Sequence, residues 1–521
     1  MRGRNRKIRT NCQIEKDITY IPLRYTLAIL LAILETITIL CIVVSFYHYI
    51  PYFYVLVFLT TIGCVVRIIA SNDNPDYKIP WLLVVLTVPI VGFMLYFLFY
   101  SRLLKKKYAK RLDELQHQSY LNEDESLFHE LKKESAMAHN QAMMLCNIAN
   151  SHLFTETNQT YFSLGEDLHK SLLGDLEKAE RFIFMEYFII EEGIFWNSIL
   201  DILKRKAEQG LEVRVVYDDI GCMTTLPGNY DKILKKYNIK ATPFSKLKGN
   251  ADSEFNNRSH RKITVIDGII GYTGGVNIAD EYINKIVKFG HWKDVGIRLE
   301  GSAVRELTKL FLTDYGINVK KLPDVPEGLF PEIAVNKQKG FLIPFGDGPS
   351  PIYHHRVGKC VIQNLLSQAS RYVYIMTPYL IIDNELCQTI ENAALRGVNV
   401  KIIVPHVPDK RVIFEMTRSN YPRLLSAGVE IFEYEPGFIH AKCYLADDDY
   451  GMIGTINLDY RSLVHHFENG VWMYQCECLN DIKNDFSQTL QKSIKIEKDS
   501  IKTGLIKKSI RSLVKVLSPL L

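Results

Sequence analysis

At 521 residues the chain exceeds what one hydrophobic core serves, because cores stop growing beyond roughly 250 to 300 residues. Two or more folded units are therefore expected. The net charge is +5, with basic residues clustered at the start, just after residue 100 and near the C-terminus; this is too mild to demand nucleic acid and suits anionic headgroups. Ten scattered cysteines lack paired metal-ligand spacing and the density of a small disulfide scaffold, so they read as reduced thiols.

The 47% hydrophobic content is concentrated in the first hundred residues. Apolar runs cover Thr26 to Phe46, Tyr52 to Ile69 and Pro80 to Tyr100, each long enough for about 30 Å of hydrocarbon at about 1.5 Å per residue. Residues 1–100 are thus expected to form a membrane region with two or three apolar segments. Arginines and lysines stand on both flanks, at Arg2 to Arg9 and at Arg102 to Lys107, and an odd number of crossings cannot place both inside. The second cluster adjoins the remaining chain and is given the cytoplasmic side, so the protein is expected in the cell membrane, multi-pass. Residues 101–150 contain neither Gly nor Pro and read as a helical connector.

Beyond residue 150, β-branched and aromatic runs alternate with helical stretches. Residues 182–190 (FIFMEYFII), a helix ending near Gly210 and residues 211–219 are followed, much later, by the same order at 372–382, a helix reaching Gly397 and residues 398–405. Such alternation predicts an α/β fold of two similar halves with mixed sheets, 151–333 and 334–500, sharing one central site. Cys476 and Cys478 read as alternation along a strand. Residues 501–521 form an amphipathic tail, with Leu505, Ile506, Ile510, Leu513, Val514 and Leu517 on one helical face and Lys507, Lys508, Arg511 and Lys515 on the other.

Each half carries one copy of a motif. The first is His260-x-Lys262-x4-Asp267-x6-Gly274-Gly275-x-Asn277, the second His440-x-Lys442-x4-Asp447-x6-Gly454-Thr455-x-Asn457, with identical internal spacing. Residues two apart on an extended strand share a face, so each histidine and its lysine address one site. Around a phosphodiester, one neutral imidazole attacks phosphorus while the other, protonated, serves the departing alkoxide. Lys262 and Lys442 hold nonbridging oxygens, and Asn277, Asn457 and Thr455 are candidate substrate donors. No metal or cofactor is called for, since the lysines would repel an ion. Each imidazole also needs an acceptor on its far nitrogen; Asp294 is the candidate for His260 and Glu468 for His440. Asp267 and Asp447 complete the motifs and stand among the site candidates, although their place on the opposite strand face, near a turn, favours a structural role.

These motifs resemble the HKD motifs of the phospholipase D superfamily, and the flanking sequence is similar to its cardiolipin synthase branch. The likeness extends to Asn257-Arg258-Ser259, Trp292-Lys293-Asp294, Thr377-Pro378-Tyr379, Gly437-Phe438-Ile439 and Gly454 to Ser462 with Phe467-Glu468. It implies condensation of two phosphatidylglycerol molecules into cardiolipin and glycerol at a membrane, with lipid and no nucleic acid as partner. His466 stands where many relatives carry Asn, and Lys293 replaces an Arg; both departures are expected to bear on substrate fit. The same residues would also serve a hydrolytic phospholipase D or, less in keeping with the apolar segments, a nucleic-acid phosphodiesterase.

Overall fold

The computed structural model describes residues 23–45, 49–71, 74–100, 124–246, 257–319, 328–331, 339–350 and 352–498, with 110, 115 and 516 besides. The amphipathic tail and the first half of the connector lie outside these, apart from those isolated positions. The chain divides into two compact units, Met1–Ser101 and Arg102–Pro519.

In the first unit the apolar runs form helices Leu23–Ser45, Ile50–Ala70, Pro75–Thr87 and Pro89–Tyr100. Cys64, Ile68, Val85 and Tyr96 are buried between them, and the Trp81 and Tyr96 rings meet edge to face at 5.8 Å. The expected continuous run from 80 to 100 is broken, because Pro89 has no N–H to donate back along a helix; one helix of 13 residues, begun at Pro75, ends at Thr87 and another of 12 begins at Pro89. Among the described residues, Ile50–Ala70 is one helix long and apolar enough to cross a membrane.

The second unit begins with helices Glu125–Glu134 and Ala136–Ala149. Eight strands follow: β1 (Thr157–Phe162), β2 (Phe182–Tyr187), β3 (Glu212–Asp218), β4 (Lys240–Phe244), β5 (Lys262–Ile266), β6 (Ile270–Gly274), β7 (His291–Lys293) and β8 (Gly296–Gly301). Then come β9 (Phe341–Asp347), β10 (Tyr372–Met376), β11 (Leu380–Ile381), β12 (Asn399–Pro405), β13 (Glu430–Tyr434), β14 (Gly437–Ile439), β15 (Cys443–Ala446), β16 (Tyr450–Gly454), β17 (Leu458–Asp459), β18 (Glu468–Tyr474) and β19 (Ser493–Lys495).

Seven strands form one sheet in the order β1-β8-β6-β5-β2-β3-β4, and eight form another in the order β19-β13-β12-β10-β15-β16-β18-β9. In the first, β2, β3 and β4 run parallel and β5 returns antiparallel to β2. In the second, β10, β12 and β13 run parallel and β15 returns antiparallel to β10. Every residue of β2 is buried, as expected where helices such as Ile194–Glu208 cover a parallel region. The sheets are therefore mixed and built on one plan, and one hydrophobic cluster runs from Phe182 and Phe184 through Phe311 and Phe345 to Trp472, joining them.

Two contacts bind the halves at the strand ends where the motif histidines lie. Strand β14 pairs in parallel with β7, bringing Phe438 beside Trp292; a Cβ on Gly437 would come within 2.4 Å of the His291 backbone, so only glycine permits this approach. Ser259 forms a β-bridge with Phe467. Cys476 and Cys478 do not alternate along a strand: β18 ends at Tyr474, and the two thiols lie in the turn before helix Leu479–Gln491.

Asp267 and Asp447 sit in tight turns with φ of 54° and 55°, a left-handed conformation that Asp tolerates. The Asp267 carboxylate accepts the backbone N–H groups of Glu180, Arg181 and Phe182 at 2.8, 2.7 and 2.9 Å. Asp447 does the same for Ser370, Arg371 and Tyr372 at 2.6, 2.8 and 2.8 Å. Each fastens the start of the strand beside its own motif strand, at the end remote from the histidine, so neither belongs with the catalytic candidates. Asp267→Ala strands these donors and is expected to cost about 2 to 4 kcal/mol of stability, measured as a lowered unfolding midpoint by tryptophan fluorescence in detergent. Any fall in activity should track the unfolded fraction; a fully folded but inactive variant would return Asp267 to the chemistry.

Candidate active site

His260 stands two residues before β5, and its backbone N–H donates to Phe467 O at 2.8 Å. His440 stands between β14 and β15, and its N–H donates to Lys293 O at 2.7 Å. Each motif histidine is thus seated on backbone of the opposite half. Side chains repeat the pattern. His260 Nδ1 lies 3.0 and 2.9 Å from the two Glu468 oxygens, and His440 Nδ1 lies 2.7 Å from Asp294 Oδ2. The expected pairing, Asp294 with His260 and Glu468 with His440, is therefore reversed: each half completes the other's imidazole. The physical reason lies in β14 against β7 and Ser259 against Phe467, which carry each histidine across the interface before its own half's carboxylate can reach it.

The two carboxylates are held differently. Ser462 Oγ donates to Glu468 Oε1 at 2.6 Å and the Thr455 hydroxyl donates to Oε2. Burial opposes the charge, yet His260 and His466 outweigh it and hold Glu468 well below the usual carboxylate range. Asp294 has fewer partners, among them the Val295 N–H at 2.8 Å, and burial pushes it up to about 6 against the pull of Lys442. Gly275 occupies the motif position that Thr455 fills in the other half, and a Cβ there would fall 2.0 Å from Asp294 Oδ1. Thr455 is thus a brace for Glu468 rather than a substrate donor.

Lys262 Nζ donates to His260 O at 2.8 Å, and Lys442 Nζ lies 2.7 and 3.0 Å from the two His440 ring nitrogens. Burial and the neighbouring Lys442 lower Lys262 to about 7; burial lowers Lys442 to about 8 against the attraction of Asp294 and Glu468. His260 is lowered to about 3, by burial above all, and His440 falls well below its usual value through burial, Lys442 and Lys262. Burial thus favours the neutral imidazole at both positions; His260 Nδ1 faces Glu468 and His440 Nδ1 faces Asp294, while Lys442 Nζ lies against the His440 ring. Lys262, Lys442, His260 and His440 come together in one buried place.

Asn277 is partly occupied: its Oδ1 accepts from Ile189 N at 3.1 Å and its Nδ2 donates one hydrogen to Tyr282 OH at 2.7 Å. It braces the loop that brings Tyr282 to within 5.4 Å of the His440 ring. The Asn457 backbone N–H donates to Ser462 Oγ at 2.8 Å, and its buried side-chain oxygen has no hydrogen-bond partner among the described residues. Lys293 donates to Asp485 at 2.8 Å and to Ser163 O at 2.5 Å, a tie between the halves. His466 does reach the site: its ring lies 5.5 Å from that of His260 and its Nδ1 3.7 Å from Glu468 Oε1. His260, His466 and Glu468 offer ligand atoms within 4.8 Å of one another, but Glu468 is already committed to His260, Thr455 and Ser462, and Lys262 lies alongside, a donor set suited to an anion rather than a cation.

Residues with no role assigned from the sequence complete the walls and struts, some of them within the stretches of family likeness. Phe188 lies 5.1 Å from the His260 ring and Trp292 5.7 Å from that of His440. Buried Arg258 grips Asp218 at 2.9 Å, and Asp218 in turn accepts Ser259 N at 3.0 Å. Arg261, inside the first motif, donates to Asp314 at 2.8 Å, to Glu468 O at 3.0 Å and to Tyr353 OH at 3.0 Å, linking both halves. An arginine between two site residues was the available signal for that last role; nothing local marks Phe188 or Asp218.

Two α/β halves, each presenting a histidine and lysine from the start of the same strand, give a phospholipase D-like fold. The solved structure of phosphatidylserine synthase from Haemophilus influenzae shares it, with a TM-score of 0.54 at 18% identity over 73% of this chain and 98% of that one. Residues 362–490 match the family model "Cardiolipin synthase, PLD-like domain" and residues 59–99 match "Phospholipase_D-nuclease N-terminal". An uncharacterized protein of Streptococcus mutans is 43% identical over 469 residues, 88% of this chain and all of that protein. A cardiolipin synthase of Alkalihalophilus pseudofirmus is 32% identical over 461 residues, 87% of this chain and 90% of that protein. The chain belongs to the cardiolipin synthase family.

The site's titration gives its pH dependence a sign. Lys262 and Lys442 carry charge below about 7 and about 8 and lose it above, so a tetrahedral oxyanion should bind the ligand-free site best at or below neutrality. Calorimetric titration with tungstate is expected to show affinity falling by about tenfold or more between pH 6.5 and 9.5. Affinity that rises over that interval would exclude the lysines as the anion's holders.

Proposed function

We propose that this chain is a cardiolipin synthase that transfers a phosphatidyl group from one phosphatidylglycerol to another, releasing glycerol, through a phosphohistidine. The observation that carries this is the meeting of two crossed imidazole–carboxylate pairs with two buried lysines. His260 begins neutral with Nδ1–H fixed by Glu468, leaving the Nε2 lone pair for phosphorus. As the N–P bond forms, the P–O bond to glycerol breaks and His440 gives its proton to the leaving oxygen. The incoming phosphodiester's negative charge, added to that of Asp294, offsets the burial and lysine charge that keep His440 neutral beforehand. In the second step the hydroxyl of another phosphatidylglycerol gives its proton to His440 while its oxygen attacks phosphorus. The N–P bond then breaks and cardiolipin leaves. Lys262 and Lys442 hold the nonbridging oxygens throughout.

Assigning the nucleophile to His260 is supported by Glu468, whose firmly held charge stabilises the positive imidazole of a phosphohistidine. Asp294, at about 6, is nearer to sharing a proton with the group that must exchange one. We also take residues 1–100 as a multi-pass membrane region, 101–150 as a connector, 151–333 and 334–500 as the two halves and 501–521 as an interfacial tail, with the catalytic part on the cytoplasmic side.

Protein purified in detergent and given labelled phosphatidylglycerol alone is expected to yield cardiolipin and glycerol, with activity unchanged by chelator. Phosphatidic acid without cardiolipin would put hydrolysis in place of transfer. His260→Ala and His440→Ala are each expected to lower the rate about a thousandfold or more, with the phosphorylated peptide mapping to His260 in parent protein quenched with denaturant and kept at alkaline pH, where the N–P bond survives.

A further inference from the structure

Large apolar side chains left exposed on the catalytic unit are not scattered evenly. Among the described residues 151–498 there are eight: Ile194, Met223, Tyr237, Ile286, Val287, Leu395, Val412 and Ile494. Tyr237 and Leu395 precede parallel strands β4 and β12, at the end remote from the motif histidines, and Ile494 lies on edge strand β19. The other five follow the site ends of strands. Ile194 opens the helix after β2, Met223 lies in the turn after β3, Ile286 and Val287 lie between β6 and β7, and Val412 is the second residue of the helix after β12.

Each of these segments rests on the walls of the site. Cys222, beside Met223, accepts Ile190 N at 3.2 Å and lies 3.5 Å from Phe188 O, and the Phe188 ring packs on His260. The segment holding Ile286 and Val287 is closed at its base by Asn284, which donates to Trp292 O and accepts Trp292 N at 3.0 and 2.8 Å, and Trp292 packs on His440. Before Val412, Asp409 accepts the Tyr379 hydroxyl at 2.7 Å, and Tyr379 packs on Phe438 beside His440. Val287 is 81% exposed and Ile286 53%, adjacent on an ordered loop and flanked by exposed Lys285 and Lys288. Exposed Lys410 and Arg411 precede Val412 in the same way. Glu281 neutralises Lys288 at 2.7 Å, leaving Lys285, Lys410 and Arg411 as the cations beside the apolar tips.

Paired aliphatic tips beside cations match a surface that is apolar below and anionic above, which is the interface of a bilayer bearing acidic headgroups. We infer that the rim around the active site is a bilayer-docking surface, with Ile286 and Val287 entering the interface of an anionic membrane and Ile194, Met223 and Val412 lying around them. The inference rests on the lipid substrate proposed above and adds how that substrate arrives: its phosphodiester rises to the buried histidines while the acyl chains remain in the membrane.

The test uses the full chain in vesicles of phosphatidylglycerol. Val287→Trp is expected to add tryptophan emission that brominated acyl chains quench, and absence of extra quenching would overturn the inference whatever the enzyme's activity. Ile286→Asp combined with Val287→Asp is expected to lower kcat/KM on vesicles about tenfold or more while leaving the rate on monomeric dihexanoyl phosphatidylglycerol unchanged. Leu395→Asp, 71% exposed at the other end of the strands, should change neither. Equal loss on both substrates would make the loop part of the fold or the chemistry, and a smaller oligomer with unchanged vesicle activity would make it a protein contact. If the parent protein makes no cardiolipin from either substrate, the proposed function fails, and the quenching still decides the surface.

Discussion

Everything at this site depends on a carboxylate reaching across an interface to an imidazole of the other half. His260 depends on Glu468 and His440 on Asp294, so neither half contains a complete catalytic group. Backbone enforces the exchange, through His260 N on Phe467 O and His440 N on Lys293 O. Arg261 extends it inward, holding Asp314 of one half and Glu468 O and Tyr353 of the other. Removing one member of so buried an ion pair commonly costs about 3 to 5 kcal/mol, and here it would also release the strand that carries Glu468. Stability and catalysis therefore share the same contacts.

Burial then sets the electrical state. Two lysines, two imidazoles and two carboxylates occupy a space with little water, where like charges separated by a few ångströms repel strongly. The ligand-free protein relieves this by lowering both lysines and leaving both imidazoles neutral. A phosphodiester reverses the balance, since its negative charge favours every proton the empty site disfavours. In the proposed mechanism binding and activation would then be one event, since the anion that is to react also supplies the charge that favours protonation of its acid.

Much of this was legible in the sequence and some was not, for physical reasons. Two motifs matching at every spaced position predicted two like halves, and β5 and β15 occupy like places beside β2 and β10. The structural role of Asp267 followed from strand parity and turn position. Which carboxylate serves which histidine was not legible, because spacing within a repeat carries no information on how two repeats dock, and proximity in sequence favoured the wrong pairing. Asn277 and Thr455 look like substrate donors by residue type, and the sequence does not show that Asn277 also binds Ile189 and Tyr282 and that the Thr455 hydroxyl is given to Glu468. The division of the third apolar run was visible in Pro89 and was outweighed by hydropathy, which averages over a residue that cannot donate.

The asymmetry of the two carboxylates bears on why such a site transfers rather than hydrolyses. With the same motif spacing on both sides, Gly275 leaves Asp294 with few donors, whereas Thr455 and Ser462 saturate Glu468. A site of equal carboxylates would have no preference as to which histidine holds phosphorus and which moves protons. In the mechanism proposed above, unequal ones separate the tasks: the firmly ionised Glu468 would stabilise a lasting positive charge on His260, and Asp294, near its own titration point, would let His440 take and return a proton. In that mechanism a covalent intermediate kept in this way waits for an acceptor, and Phe188, Trp292 and Tyr282 beside the two imidazoles would limit water more than a lipid hydroxyl. Selection of the acceptor would then rest with these walls, while the crossed pairs supply the chemistry common to both outcomes.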